Sequence, residues 1–537
     1  MTPDLAAKPG EKPRVFVREA TGLVREFGLL EGFLFNFADW NLPVSVIGIA
    51  AGVVAFPGAD MTTVLLLGLG PILAYTLVLI FLSVGMPRSG GDFWWESICL
   101  HPAIGFMVTL AVVFGLFLGV AGYCSWIVNY VMSGGLSTIG ILTGNTVLMN
   151  WGTLLATPSY TFGIGLLVVF SCIACMMFGP KGEKTALRLS VIPSLVVIVI
   201  PLWVLATSTH AQFLTSFNTV NAAFTHSPNS VQVIEALYTK MGGSFPRASV
   251  AASVPALIVG FWTLNGSYGS ATAIGGEVKS AKKSQTYGIL ASTFFSLFWL
   301  LAFVALYYNV VGWDLGNAIQ LAATSPNYPI PVPPTTTYLL GLLIANPWLN
   351  IVLLVGMVWG IWGVNLTIMM MVVRYFFSYS FASILPSKFA DINERLHCAW
   401  VSIIFAAAGT IVMLWLYVYT SVVGIFTNYA TMLAIGGVFI SLAGVVFPFR
   451  KKTIFEAAPK PMSSKIAGIP LVSIISLISL VSLGFVVYTG LNSGTIATNG
   501  VIVVALIIAL IIFYVAKFYR ARHGVDLGLI SRELPPE

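Results

Sequence analysis

Charge is what this sequence has least of. Only 8% of its 537 residues are Asp, Glu, Lys or Arg and 58% are hydrophobic, against about 25% charged in an ordinary soluble domain. That scarcity excludes a string of solvated domains, although the length alone would allow several. Histidine is scarce too: the five are scattered, with His101, His210 and His226 near or in connecting segments, and none forms a metal or catalytic pair. The five cysteines (Cys99, Cys124, Cys172, Cys175, Cys398) are odd in number and sit mostly in apolar runs, which excludes the spaced framework of a secreted disulfide protein. Cys172 and Cys175 have C-x-x-C spacing inside an apolar helix without a second pair, and read as small packing residues. Residues 1–27 lack the apolar core and cleavage site of a signal peptide.

What fills the sequence instead is apolar runs of membrane length. Twelve are expected, at about 28–55, 62–85, 103–131, 161–179, 187–207, 249–274, 286–311, 345–380, 398–418, 421–448, 466–489 and 498–517. The expected fold is therefore an all-α polytopic membrane protein. Its domains are a tail at 1–27, a transmembrane unit at 28–518 and a second tail at 519–537. The net charge of +7 is a matter of topology and implies no nucleic acid partner. Of the 26 basic residues, all but Lys240 and Arg247 fall on the cytoplasmic side if both termini lie inside. The connections at 132–160, 208–248 and 312–344, rich in Ser, Thr, Asn, Pro and Gly, then read as external solvated loops.

Two spans carry polar residues at mid-depth. The sixth reads Phe261-Trp262-Thr263-Leu264-Asn265-Gly266-Ser267, and the first reads Phe35-Asn36-Phe37-Ala38-Asp39-Trp40-Asn41-Leu42-Pro43. Backbone groups freed in hydrocarbon survive only where protein or a cavity receives them, and proline frees a carbonyl one turn earlier, so both spans should be broken. Broken helices are where carriers hold substrate. The two spans lie five apart, an odd offset that inverts one relative to the other. Asp39 is the carboxylate set well inside a span, and ionisable groups there mark ion or substrate pathways. Glu31 and Arg374 read as gate or interfacial residues.

Four short motifs then follow in order. They are Pro87-Arg88-Ser89-Gly90-Gly91-Asp92-Phe93-Trp94 after the second span, Gly179 to Thr185 with Arg188 before the fifth, Glu277-Val278-Lys279 after the sixth, and Arg374-Tyr375-Phe376 with Leu385-Pro386 and Phe389-Ala390-Asp391-Ile392-Asn393 after the eighth. Together they resemble the amino acid, polyamine and organocation (APC) transporter superfamily, across most of the chain. The resemblance implies inverted repeats of five spans, about 28–207 and 249–448, with two peripheral helices at 466–517. It also implies a secondary transporter of an amino acid or related amine, in the plasma membrane, as monomer or homodimer. Three departures stand out: Leu42-Pro43-Val44 replaces the family's glycine-rich run, Gly269 replaces a glutamate after Tyr268, and Val197 occupies the place of a coupling lysine in some members.

The expected substrate site is Phe37, Ala38, Asp39, Trp40, Asn41, Pro43, Phe261, Trp262, Thr263, Leu264, Asn265, Gly266 and Ser267, with Asp39, Asn365 and Thr367 for ion coupling. Amides at the first break would face a substrate carboxylate, carbonyls of the second an ammonium, and the aromatic neighbours would suit an uncharged side chain. Neither cofactor nor metal is expected, and no nucleophile and base pair suggests an enzyme. The Gly179 to Thr185 stretch lacks phosphate-loop spacing, and the sequons at Asn265 and Asn365 sit at membrane depth. An uncoupled exchanger, a channel or a substrate sensor on the same scaffold remain open alternatives.

Overall fold

The computed structural model describes residues 22–243, 248–264, 269–344, 346–420, 429–532 and 534. A chain this apolar satisfies its backbone internally, and helices dominate it. The first half holds α1 (Leu29–Trp40), α2 (Leu42–Ala55), α3 (Met61–Gly85), α4 (Gly91–Cys99), α5 (Pro102–Trp126), α6 (Ser133–Thr143), α7 (Thr146–Leu155), α8 (Pro158–Met177), α9 (Gly179–Thr207), α10 (His210–Thr225) and α11 (Ser230–Lys240). The second half holds α12 (Val250–Ser253), α13 (Leu257–Thr263), α14 (Ala281–Val310), α15 (Trp313–Ala322), α16 (Thr336–Gly341), α17 (Pro347–Phe381), α18 (Trp400–Tyr419), α19 (Tyr429–Arg450), α20 (Lys452–Ala457), α21 (Leu471–Ser493) and α22 (Ile496–Arg522). A two-stranded antiparallel hairpin, Lys465–Ile466 against Ile469–Pro470, precedes α21.

Among the described residues, eleven helices are long and apolar enough to cross a membrane, counting α1 with α2 and α5 with α6 as continuous pieces. This is an all-α, multi-pass membrane protein. The expected sixth span appears as the shorter apolar helix Val250–Thr263, followed by a 3-10 turn at Ser270–Ala273. Its expected break at 265–268 lies outside the described residues. At the rim, α22 packs on α5 and turns Val503, Val504, Ile507, Ile508 and Ile511 outward. Such a face suits lipid, since a bilayer supplies the apolar solvent that water would deny it.

The segments read as solvated loops are in fact largely helical. The third span runs on through a π-helical stretch, Ile127–Met132, into α6, and α10, α11, α15 and α16 occupy the other two connections. Local pattern explains α10: Thr209 and Gln212 form a capping box, and Phe213, Phe217 and Asn221, spaced four apart, make one buried stripe. Loop-like composition therefore hid amphipathic helices.

Candidate functional site

The first break is a single residue. Asn41 adopts φ 33° and ψ 128°, a left-handed φ that asparagine tolerates better than most side chains. Pro43 is the second residue of α2, where a missing N–H leaves no helical bond unmade. Because Ser45 N already donates to the Asn41 carbonyl at 3.3 Å, the first turn of α2 has only the amides of Leu42 and Val44 left to offer. Asn41 Nδ2 donates to Ser194 Oγ on α9 at 3.0 Å, while its Oδ1 lacks a partner among the described residues. Gly360 of α17 is what lets α17 approach, since a Cβ there would stand 2.7 Å from that Oδ1.

The described residues on either side of 265–268 are held by side chains of the first span. Ser45 Oγ donates to the Thr263 carbonyl at 2.6 Å, ending α13, and the Ala271 amide donates to Asn36 Oδ1 at 2.8 Å. Gln285 Nε2 of α14 covers the Ala271 carbonyl at 3.0 Å. Ser270 Oγ donates to Asp39 Oδ2, and Thr367 Oγ1 of α17 donates to Asp39 Oδ1 at 3.3 Å. Asp39 thus ties α1, the Ser270–Ala273 turn and α17 together, at 7% exposure.

Beside this junction lies a cavity of about 70 Å³. Its polar wall is Asp39, Ser270, Thr272, Tyr75, Asp92 and Tyr375. Its apolar wall includes Leu79, Val112, Leu116, Met371, Leu433 and Ile440. Asp92 accepts the Tyr375 hydroxyl, and burial in α4 pushes its carboxyl up to about 6. No basic side chain lines this cavity among the described residues.

Of the substrate residues expected from sequence, Asp39 and Phe261 line the cavity. Phe37 instead stacks with Phe33 and meets Phe295 edge-on at 5.5 Å, so it belongs to the packing of α1 on α14, and Trp40 is buried with its ring 5.9 Å from that of Phe37. Ala38 faces Gly363 of α17, and Leu264 is fully buried. Trp262 stands edge-on to Trp126 at 5.9 Å and fills the space over Gly48 of α2. Thr263 contributes the carbonyl bound by Ser45, and Pro43 the first turn of α2. Asn265, Gly266 and Ser267 lie outside the described residues. Thr367 reaches Asp39, whereas Asn365 Nδ2 donates to its own helix at the Ile361 carbonyl, 3.1 Å. Val197, at the place of the family lysine, is buried against Gly356.

A second cluster joins motif residues outside the expected substrate site, with Arg374 and Glu31, which read from sequence as gate or interfacial residues, among them. Arg374 Nη1 and Nη2 reach Glu183 at 2.8 and 2.7 Å, and its Nε and Nη2 reach Glu277 at 3.1 and 2.8 Å. All three side chains are at least nine-tenths buried. Ser89 Oγ adds a bond to Glu277 at 3.1 Å, and the Gly90 amide one to the Ala273 carbonyl at 2.8 Å. Glu31 accepts from Arg188 close by in the same end of the bundle. The four sequence motifs, scattered from Ser89 to Arg374, thus meet around one guanidinium. Their spacing in order was the available signal; their convergence was not readable from it.

A span interrupted at Asn41 and tied beside a polar cavity to the Ser270–Ala273 turn and α17, inside a bundle of membrane-length helices, defines a polytopic membrane protein built around that junction. The sequence profile of the amino acid permease family matches residues 29–516, and the chain belongs to that family. It is accordingly a transporter of amino acids or related compounds, with a small-molecule substrate and a lipid bilayer around it. No curated protein matches the chain significantly.

Proposed function

We propose that this permease is a secondary transporter of an amino acid or related amine in the plasma membrane, working by alternating access with both termini cytoplasmic, as monomer or homodimer. In this reading, residues 28–207 and 249–448 are inverted repeats, and α21 and α22 are peripheral. The observation that carries it is Asp39, a buried carboxylate that bonds the turn after one broken helix and α17 while lining the cavity. Asp39 takes the substrate ammonium or a coupling proton, the amides of Leu42 and Val44 favour the carboxylate, and the apolar wall favours an uncharged side chain. Proton coupling through Asp39 is supported by the lack of a basic side chain among the described residues lining the cavity and by Val197 in the place of the lysine. The test is initial uptake of labelled amino acids into proteoliposomes under an imposed pH gradient without sodium, by parent and Asp39→Asn protein. Accumulation by the parent alone is expected. Accumulation by the neutral variant reduces Asp39 to a ligand of the break, and a sodium requirement in the parent ends the proton reading.

A further inference from the structure

Asp92 and Glu96 sit four residues apart on α4, so their carboxyl groups share one face of that helix. Glu96 is fully buried, and neither of its carboxyl oxygens has a hydrogen-bond partner among the described residues. An ionised carboxylate left in that state forfeits its hydration for nothing, so the group takes a proton instead. Tyr75 from α3 and Tyr375 and Tyr379 from α17 lie within electrostatic reach of both carboxyls, and Asp39 lies across the cavity on α1. From α5 comes the Thr109 hydroxyl, 2.8 Å from that of Tyr379. Arg450 and Lys451, at the end of α19, act at the far end of α4, where Arg450 binds the Cys99 and Leu100 carbonyls. Arg374 is saturated by Glu183 and Glu277. Three carboxyl groups, Asp39, Asp92 and Glu96, are therefore gathered at or just behind one cavity wall, with no ion pair to any of them among the described residues. Burial raises both α4 groups, Glu96 the further because the charge of Asp92 adds to it.

We propose that Asp92 is a second proton-binding group of the cavity, exchanging the coupling proton with Asp39 through cavity water, while Glu96 stays protonated behind it so that Asp92 is the member of the pair that titrates. The inference rests on the proton-coupled reading above. In the step, the O–H bond of the Asp39 carboxyl breaks, water carries the proton, and an O–H bond forms on the Asp92 carboxylate; charge is conserved and no electrons are transferred. About 70 Å³ is room for more than one water, since roughly 10–15 Å³ is enough to admit the first. The Tyr375 hydroxyl holds Asp92 in place for the exchange.

The test measures two fluxes at once in proteoliposomes under a pH gradient: influx of a labelled mixture of the twenty amino acids, and proton influx by an entrapped pH dye. In Asp92→Asn protein the proton influx that accompanies amino acid influx should be lost, so that the ratio of protons to amino acids falls toward zero, and Asp92→Glu should restore it. A merely structural defect would lower both fluxes and leave the ratio alone. An unchanged ratio in Asp92→Asn beside a coupled parent overturns this inference only, whereas a parent that carries amino acids without protons overturns the coupling reading and this inference together. Infrared spectra of the purified protein decide the remaining part without any transport. The parent should show a protonated carboxyl band at neutral pH that Glu96→Gln lacks, and a band absent from the parent or kept by the variant overturns the role of Glu96.

Discussion

Arg374 is the residue on which the most structure depends. It pairs with two carboxylates in a dry environment, and removing one member of such a set leaves the others charged, buried and unpaired. Arg374→Ala should therefore cost about 3–5 kcal/mol, seen as a large fall in the thermal midpoint of detergent-solubilised protein. Arg374→Lys should recover only part of it, because an ammonium cannot make the two-pronged contacts. Asp92 gives a pH signature of opposite sense to an ordinary salt-bridged carboxylate. Its folded pKa of about 6 lies above the usual value of 3.8, so the folded state holds a proton that the unfolded chain has released. The stabilisation is complete below the lower value and lost as pH rises through about 6. A shift near two units is worth roughly 3 kcal/mol. The parent should thus lose stability between pH 4 and pH 6 on this account, and Asp92→Asn should flatten that part of the profile.

At the scale of elements, α2 and α13 meet closely at Gly48, where a Cβ would stand 2.0 Å from the Trp262 ring. Gly48→Ala should displace Trp262 and cut uptake severely, with a changed tryptophan emission as the companion measurement; normal uptake with unchanged emission would show that transport does not depend on this α2–α13 contact. The position of the first break was legible in the sequence, because Asp39, Asn41 and Pro43 are polar or helix-breaking at membrane depth; the expected second break at 265–268 lies outside the described residues. Which side chains face the cavity was not legible. Successive helical residues turn by about 100°, so a near neighbour of Asp39 such as Phe37 points into α14 instead, a phase that only packing fixes. Asp92 was missed for a different reason. It sits on α4, a nine-residue helix inside a connection between spans, too short to register as an element by periodicity, yet buried by α5 and α19. Asn36, Ser45 and Gln285 likewise show their role only when the backbone ends they cover are placed beside them.

At the scale of the molecule, the charge asymmetry makes a labelling prediction. Thr215→Cys on α10, exposed at one end of the bundle, should react with an impermeant thiol reagent from outside, and Lys452→Cys, exposed at the other, only from inside. Reaction of both from one side would contradict the proposed orientation.

The Arg374 clasp also bears on how such a carrier would respond to heat. Opening that end of the bundle would wet three groups that are dry here, so water competes with the clasp, and closure must strip ionic hydration again. Hydration of charged groups becomes less favourable as temperature rises, and the penalty for drying them shrinks. Warming would therefore tilt the cycle toward the clasped form, and ions in the compartment facing that end would tilt it back by screening the separated charges. Two ordinary properties of the surroundings, warmth and salt, would act as opposed controls on the resting position of the protein.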